Sequence, residues 1–143
     1  MPTGSSRNAE VLVDTSAAVP LAVADHRDHA ATFAALADRR LGLAGHAAFE
    51  TFSVLTRLPP PARRTPAVVA RLLRTNFPRT RFLSADGAAS LVGRLESLGI
   101  AGGSVYDALV GATAAEHRLR LVTRDRRATE IYGLLGVDFE LLG

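Results

Sequence analysis

The 143-residue chain contains no cysteine, no tryptophan and no lysine. Without cysteine there are no disulfide scaffolds, thiolate zinc sites, iron–sulfur clusters or cysteine nucleophiles, and a reducing compartment is the natural setting. Without lysine, a P-loop ATPase, a Schiff-base enzyme, a haloacid-type phosphatase or a phosphoryl receiver would each lack a side chain its site needs. Long apolar runs are missing too, since nothing approaches the ~18 uninterrupted apolar residues of a membrane span. Residues 1–8 are polar and include Pro2, Gly4, Ser5 and Ser6, with no apolar stretch behind a basic start. They read as a disordered leader and not as a signal peptide. The expectation is a soluble, cytoplasmic protein with no membrane partner.

What is present is 48% hydrophobic and 22% charged, the balance of one globular domain, expected over residues 9–143. A domain of about 150 residues buries roughly 70% of its unfolded surface, so folding needs neither a disulfide nor a structural metal. All 17 cationic side chains are arginine, against 14 carboxylates, for a net charge of +3. The planar guanidinium suits phosphate and carboxylate partners, which is compatible with nucleic-acid binding, although a GC-rich genome produces the same bias.

Apolar spacing and punctuation predict short strands over residues 10–14, 41–45, 82–83, 120–123 and 137–142. They predict helices over residues 17–24, 28–40, 47–58, 65–76, 86–98, 104–117 and 128–135. Pro59, Pro60 and Pro61 stop the third helix, and Thr65 followed by Pro66 supplies an N-cap and a proline at the first position of the fourth. Phe33, Leu36 and Ala37 fall at helical spacing in the second helix, Val68, Val69, Leu72 and Leu73 form the expected inner face of the fourth, and Ser104 is the expected cap of the sixth. Strands alternating with helices imply right-handed crossovers. The fold class is therefore α/β, three α/β/α layers around a central, mostly parallel, short-stranded sheet.

In such folds ligands gather at the carboxyl ends of strands, and Asp14 and Asp125 each stand just past one. Glu50 shares a polar helical stripe with His46, Ser53 and Arg57, and Asp107 follows Ser104 by three residues. Each acid has an ordinary explanation as well. Asp125 suits a helix cap, Ser104 and Asp107 match a capping box, and Glu50 suits a solvated face. Asp14 is the hardest to explain that way, because a carboxylate abutting Val11-Leu12-Val13 is costly unless paired or metal-bound. Oxygen donors of this kind suit Mg²⁺ or Mn²⁺. His26 and His29, three apart but without a third ligand, make a poor zinc pair.

Four runs carry a resemblance. Val11-Leu12-Val13-Asp14-Thr15-Ser16-Ala17, Phe49-Glu50-Thr51-Phe52-Ser53-Val54-Leu55-Thr56-Arg57-Leu58, Tyr106-Asp107-Ala108-Leu109-Val110-Gly111-Ala112-Thr113-Ala114 and Leu121-Val122-Thr123-Arg124-Asp125-Arg126 resemble, in order and spacing, the motif regions of PIN-domain nucleases, and most of all the VapC-type toxins of bacterial toxin–antitoxin pairs. The resemblance implies a metal-dependent endoribonuclease that leaves 5′-phosphate and 3′-hydroxyl ends. It implies a catalytic quartet of Asp14, Glu50, Asp107 and Asp125, with Asp14, Asp107 and Asp125 as ligands of one or two Mg²⁺ or Mn²⁺ ions. Glu50 is then a further ligand or the group that orients the attacking water. Thr15, Ser16 and Thr123 match the hydroxyl positions that steady the carboxylates. Clustered carboxylates repel, so at least one is pushed towards protonation without metal, and metal binding should stabilise the fold.

Arg57, Arg124, Arg126 and Arg127 lie near the acids in sequence and are candidates for meeting the RNA backbone, the alternative being simple pairing with Glu50 or Asp125. The resemblance further implies a cognate VapB-type antitoxin, whose C-terminal segment packs in a groove, and a homodimer. The helices over residues 47–77, joined by the proline turn, are a candidate clip for that partner, while Leu72, Leu73 and Phe77 read as core. Two other readings compete: a catalytically silent PIN-fold module that binds RNA or antitoxin, and a phosphotransfer domain. The intact quartet opposes the first, and the missing lysine opposes the second.

Overall fold

The computed structural model describes residues 8–143. Most of the expected leader, residues 1–7, lies outside the described residues, whereas Asn8 already donates its backbone N–H to the Asp38 carbonyl. The elements run β1 (Glu10–Val13), α1 (Thr15–Ala22), α2 (His29–Leu36), β2 (Arg40–Leu43), α3 (His46–Thr56), α4 (Pro66–Asn76), α5 (Ala85–Leu98), α6 (Ser104–His117), β3 (Arg120–Thr123), α7 (Ala128–Leu134) and β4 (Phe139–Leu141). The four strands form one all-parallel sheet in the order β2-β1-β3-β4.

A parallel sheet is covered on both faces, so its strands are apolar at successive positions rather than alternately. In β1 Val11 and Val13 point to one side and Leu12 to the other, and all three are buried. Leu12 joins Leu121, Ala108, Ala114 and Tyr132 in one core, under α6 and α7. Val11 and Val13 join Val122, Ala17, Leu36 and Phe77 in the other, under α1 and α2. Because β1 and β3 are central neighbours, with Val13 opposite Val122, Asp14 and Asp125 emerge at the same edge of the sheet.

Several expected boundaries move, each for a local reason. The second helix stops at Leu36 and not at residue 40, because the Arg40 N–H is taken by the Ala9 carbonyl at 2.9 Å and the chain turns into β2. Residues 82–83 form no strand, and the contact there is a single bridge between Ala44 and Arg81. The stretch from Arg79 to Arg81 instead covers the open edge of β2, donating its N–H groups to the carbonyls of Leu41 and Leu43 at 2.9 and 3.2 Å. Ser104 is the first helical residue of α6, not its cap; Gly103 occupies that position, and no capping box forms with Asp107. Phe33 and Val68, placed at helical spacing and on an inner face, are exposed, while Leu36 and Val69 beside them are buried.

Gly42 sets how closely the covering segment approaches. A Cβ there would lie 2.1 Å from the Arg79 carbonyl oxygen, so the obstacle is backbone and not a flexible side chain. Gly42→Ala is expected to cost about 1–3 kcal/mol, towards the upper end, measured as a lower urea midpoint at unchanged slope.

Candidate active site

Asp14 ends β1 and caps α1. Its backbone is extended, and its side chain accepts the Ala17 N–H at 3.3 Å. Although it is only 5% exposed, both carboxylate oxygens are satisfied. Oδ1 accepts the Ser16 hydroxyl at 2.6 Å, and Oδ2 accepts the Tyr132 hydroxyl at 2.7 Å. From there a chain of hydrogen bonds crosses to β3. The Asp125 N–H donates to Thr123 Oγ1 at 3.0 Å, and the Arg124 N–H donates to Ser16 Oγ at 2.8 Å. Ser16 and Thr123 lie 3.2 Å apart, and since the Ser16 proton is committed to Asp14, Thr123 is the donor between them. These hydroxyls therefore fix the ends of two strands, and the two acids they carry, relative to each other.

Asp107, in the first turn of α6, and the exposed Glu50, on α3, complete the set. Thr15 donates its hydroxyl to Glu50 Oε1 at 3.3 Å, tying α3 to the start of α1. Burial pushes the Asp107 carboxyl above its ordinary range, and the negative charges of Asp125, Asp14 and Glu50 push it further the same way, against a smaller opposing pull from Arg127. The other three acids thus each bear on Asp107. Among the described residues, ion pairing reaches only one of them: Arg127 lies 3.5 Å from Asp125. Burial and the adjoining Asp14 likewise hold the Tyr132 hydroxyl well above the ordinary tyrosine range, so it is a fixed donor.

As the side chains stand, no three described histidines, aspartates or glutamates converge closely enough to enclose an ion. The donor chemistry nevertheless fits a hard divalent cation, because the cluster offers carboxylate oxygens, repels itself and is barely compensated by cations.

The PIN-domain family model matches residues 11–134, nearly the whole described chain. Ribonuclease VapC27 of Mycobacterium tuberculosis is 50% identical over 125 residues, covering 87% of this chain and 91% of that one. The chain belongs to the PIN-domain family, in its VapC ribonuclease branch. Ribonuclease VapC40 of the same organism is 42% identical over 131 residues, covering 90% of this chain and 96% of that one. Among solved structures, VapBC2 of Rickettsia felis bound to a DNA fragment from its promoter superposes with a TM-score of 0.66 at 14% identity, covering 94% of this chain and 99% of that one. The M. tuberculosis toxin VapC20, described as cleaving the sarcin–ricin loop, gives 0.64 at 22% identity, covering 84% and 93%. At these identities the structures establish a shared fold.

Within this VapC chain the four arginines near the acids have different surroundings. Arg124 is mostly covered: its guanidinium lies 3.3 Å from Asp28 Oδ1 and donates to Thr32 Oγ1 at 3.2 Å, which joins β3 to α2. Arg57, Arg126 and Arg127 are exposed; Arg57 donates to Ser53 Oγ at 3.3 Å, and Arg127 makes the alternative pairing with Asp125, at 3.5 Å. His26 accepts the Asp28 N–H on Nδ1 and His29 Nδ1 hydrogen-bonds the Pro20 carbonyl, and among the described residues no third ligand joins the pair. Tyr132 is the site residue that sequence reasoning missed. Its only signal is a lone hydroxyl on an apolar helical face; the partner lies 118 residues earlier.

Proposed function

We propose that Asp14, Glu50, Asp107 and Asp125 are the groups with which this VapC ribonuclease toxin hydrolyses RNA phosphodiester bonds, leaving 5′-phosphate and 3′-hydroxyl ends. The observation that carries the reading is the meeting of Asp14 and Asp125 at one sheet edge, tied together through Ser16 and Thr123, with Glu50 held there by Thr15; the Asp107 carboxyl, raised by burial and then by these three charges, agrees with it. Carboxylates gathered this way, with so little cationic compensation, suit a divalent cation. Asp14, Asp107 and Asp125 are the proposed holders of one or two Mg²⁺ or Mn²⁺ ions. Bound there, such an ion supplies Lewis acidity towards phosphate oxygens and lowers the pKa of water. Glu50, exposed and steadied by Thr15, orients the attacking water and takes up its proton as the water oxygen bonds to phosphorus and the bond to the 3′ oxygen breaks, that oxygen taking its proton from solvent. Ser16 and Thr123 keep Asp14 and Asp125 in register. Arg126, exposed beside Asp125, is the best placed of the arginines to meet the RNA backbone next to the acids, since Arg127 pairs with Asp125 and Arg124 with Asp28.

Two partners belong to the same reading. A cavity of about 710 Å³ lined by Leu21, Phe33, Leu36, Leu72 and Asn76, with Arg79, lies among α1, α2, α4 and β2, and it is the proposed seat of an antitoxin segment. Solved relatives described as VapBC assemblies support an antitoxin of that class. The exposed rings of Phe49, Phe82 and Tyr106 support a homodimer, because a second copy would cover them. Helix α3 packs on α4 beyond the proline turn, but no α3 residue lines the cavity, so the seat shares only its α4 side with the candidate clip over residues 47–77.

The deciding experiment incubates purified, antitoxin-free protein with a mixed RNA pool and Mn²⁺ or Mg²⁺, beside an EDTA control, and maps the ends. Cleavage that EDTA abolishes, with 5′-phosphate products, is expected. Undiminished cleavage in EDTA, or 2′,3′-cyclic phosphate ends, overturns the reading.

A further inference from the structure

Tyr132 lies on α7, outside the four motif regions, and is only 1% exposed. Its ring belongs to the core that contains Leu12, Ala108 and Leu121 and packs at a tilt on Phe139, with centroids 6.1 Å apart. Gly111 makes the space: a Cβ there would come within 3.0 Å of the Tyr132 ring carbon Cδ1. Gly111 is one helical turn beyond Asp107 on α6, so the helix that carries one acid also shapes the slot of the ring that reaches another.

A phenylalanine would satisfy that apolar slot. The hydroxyl is a buried polar group that needs a partner, and its partner is Asp14 Oδ2 at 2.7 Å, a short bond to a carboxylate. Ser16 holds the opposite oxygen, Oδ1, at 2.6 Å. With a donor fixed on each oxygen, the carboxylate plane of Asp14 cannot swing. Oδ1 also accepts the Ala17 N–H at 3.3 Å, so the lone pair left for a cation is on Oδ2, the oxygen that Tyr132 holds. Groups that orient a ligating carboxylate typically change metal affinity by about 10–100-fold when removed.

We infer that Tyr132 is a positioning residue of the metal site, acting through Asp14. The inference rests on the proposed metal-dependent reading of the four acids. The test is the Mn²⁺ dissociation constant of the full chain, from electron paramagnetic resonance of free Mn²⁺, for wild type and Tyr132→Phe, together with melting in EDTA. The expected result is an affinity weakened about tenfold or more, with the cleavage defect relieved by added Mn²⁺ and the KM for RNA unchanged. Gly111→Ala keeps every polar group but crowds the ring; it is expected to weaken Mn²⁺ in the same direction and tests the idea should Tyr132→Phe fold poorly. A lowered melting temperature with a Mn²⁺ affinity within about twofold of wild type would mark a purely structural tyrosine and overturn the inference alone. No Mn²⁺ binding by wild type overturns the metal reading and this inference together.

Discussion

Asp14→Asn is expected to lower kcat/KM for RNA cleavage by about a hundredfold or more while leaving the fold intact, since losing a proposed metal ligand forfeits several kcal/mol of transition-state stabilisation and each 1.36 kcal/mol is tenfold in rate. The fold survives because an amide keeps each side-chain contact of Asp14, at the cost of one reversed bond that leaves the Tyr132 proton without its acceptor. Its oxygen accepts from Ser16 and Ala17, and its NH₂ donates to the Tyr132 oxygen, where the wild-type carboxylate accepts the Tyr132 proton. One negative charge also leaves a cluster that repels itself. Single-turnover cleavage beside circular dichroism and thermal melting checks both halves. Retained cleavage would move the active site elsewhere.

Asp107→Asn is expected to separate stability from activity, abolishing cleavage while raising the melting temperature of the metal-free protein at pH 7 by a few degrees. Burial, then Asp125, Asp14 and Glu50, hold the Asp107 carboxyl above its ordinary 3.8. The folded chain therefore binds this proton more tightly than the unfolded chain does. Below 3.8 the group costs the fold nothing; as pH rises through the raised folded value stability falls, and above it the loss stays in full. A negative charge in a helix's first turn contributes about 0.3–1 kcal/mol the other way. The expected rise in melting temperature requires burial and like charge to exceed it. Melting of the two proteins in EDTA should therefore coincide in acid and diverge towards neutrality, with the variant higher. Added Mn²⁺ should raise wild type and move the variant little. A variant that melts below wild type at pH 7 would mean that the four acids do not share a field.

The amino-acid sequence by itself determined the strand–acid–helix grammar of the chain. Val11-Leu12-Val13 has to be a strand buried on both faces, and a carboxylate following such a run has to be satisfied or bound. That logic singled out Asp14, and the motif spacing added Glu50, Asp107 and Asp125. It also located the proline stop and the Thr65–Pro66 start, because Pro and cap chemistry act within a few residues.

Only the tertiary structure decided the rest, since the deciding contacts lie far apart in the chain. Apolar β-formers at residues 82–83 read as a strand, yet neighbouring backbone docks on β2 because Gly42 lets Arg79 approach. Arg124 reads like its exposed neighbours, yet it is spent on Asp28 and Thr32 across the sheet edge. The raised Asp107 carboxyl needs β1 beside β3 and α3 beside α6, an adjacency that no local pattern encodes. Tyr132 is the clearest case. Periodicity places its ring in the core, but a hydroxyl acquires a role only when a partner stands within about 3 Å of it, and the fold alone brings Asp14 there.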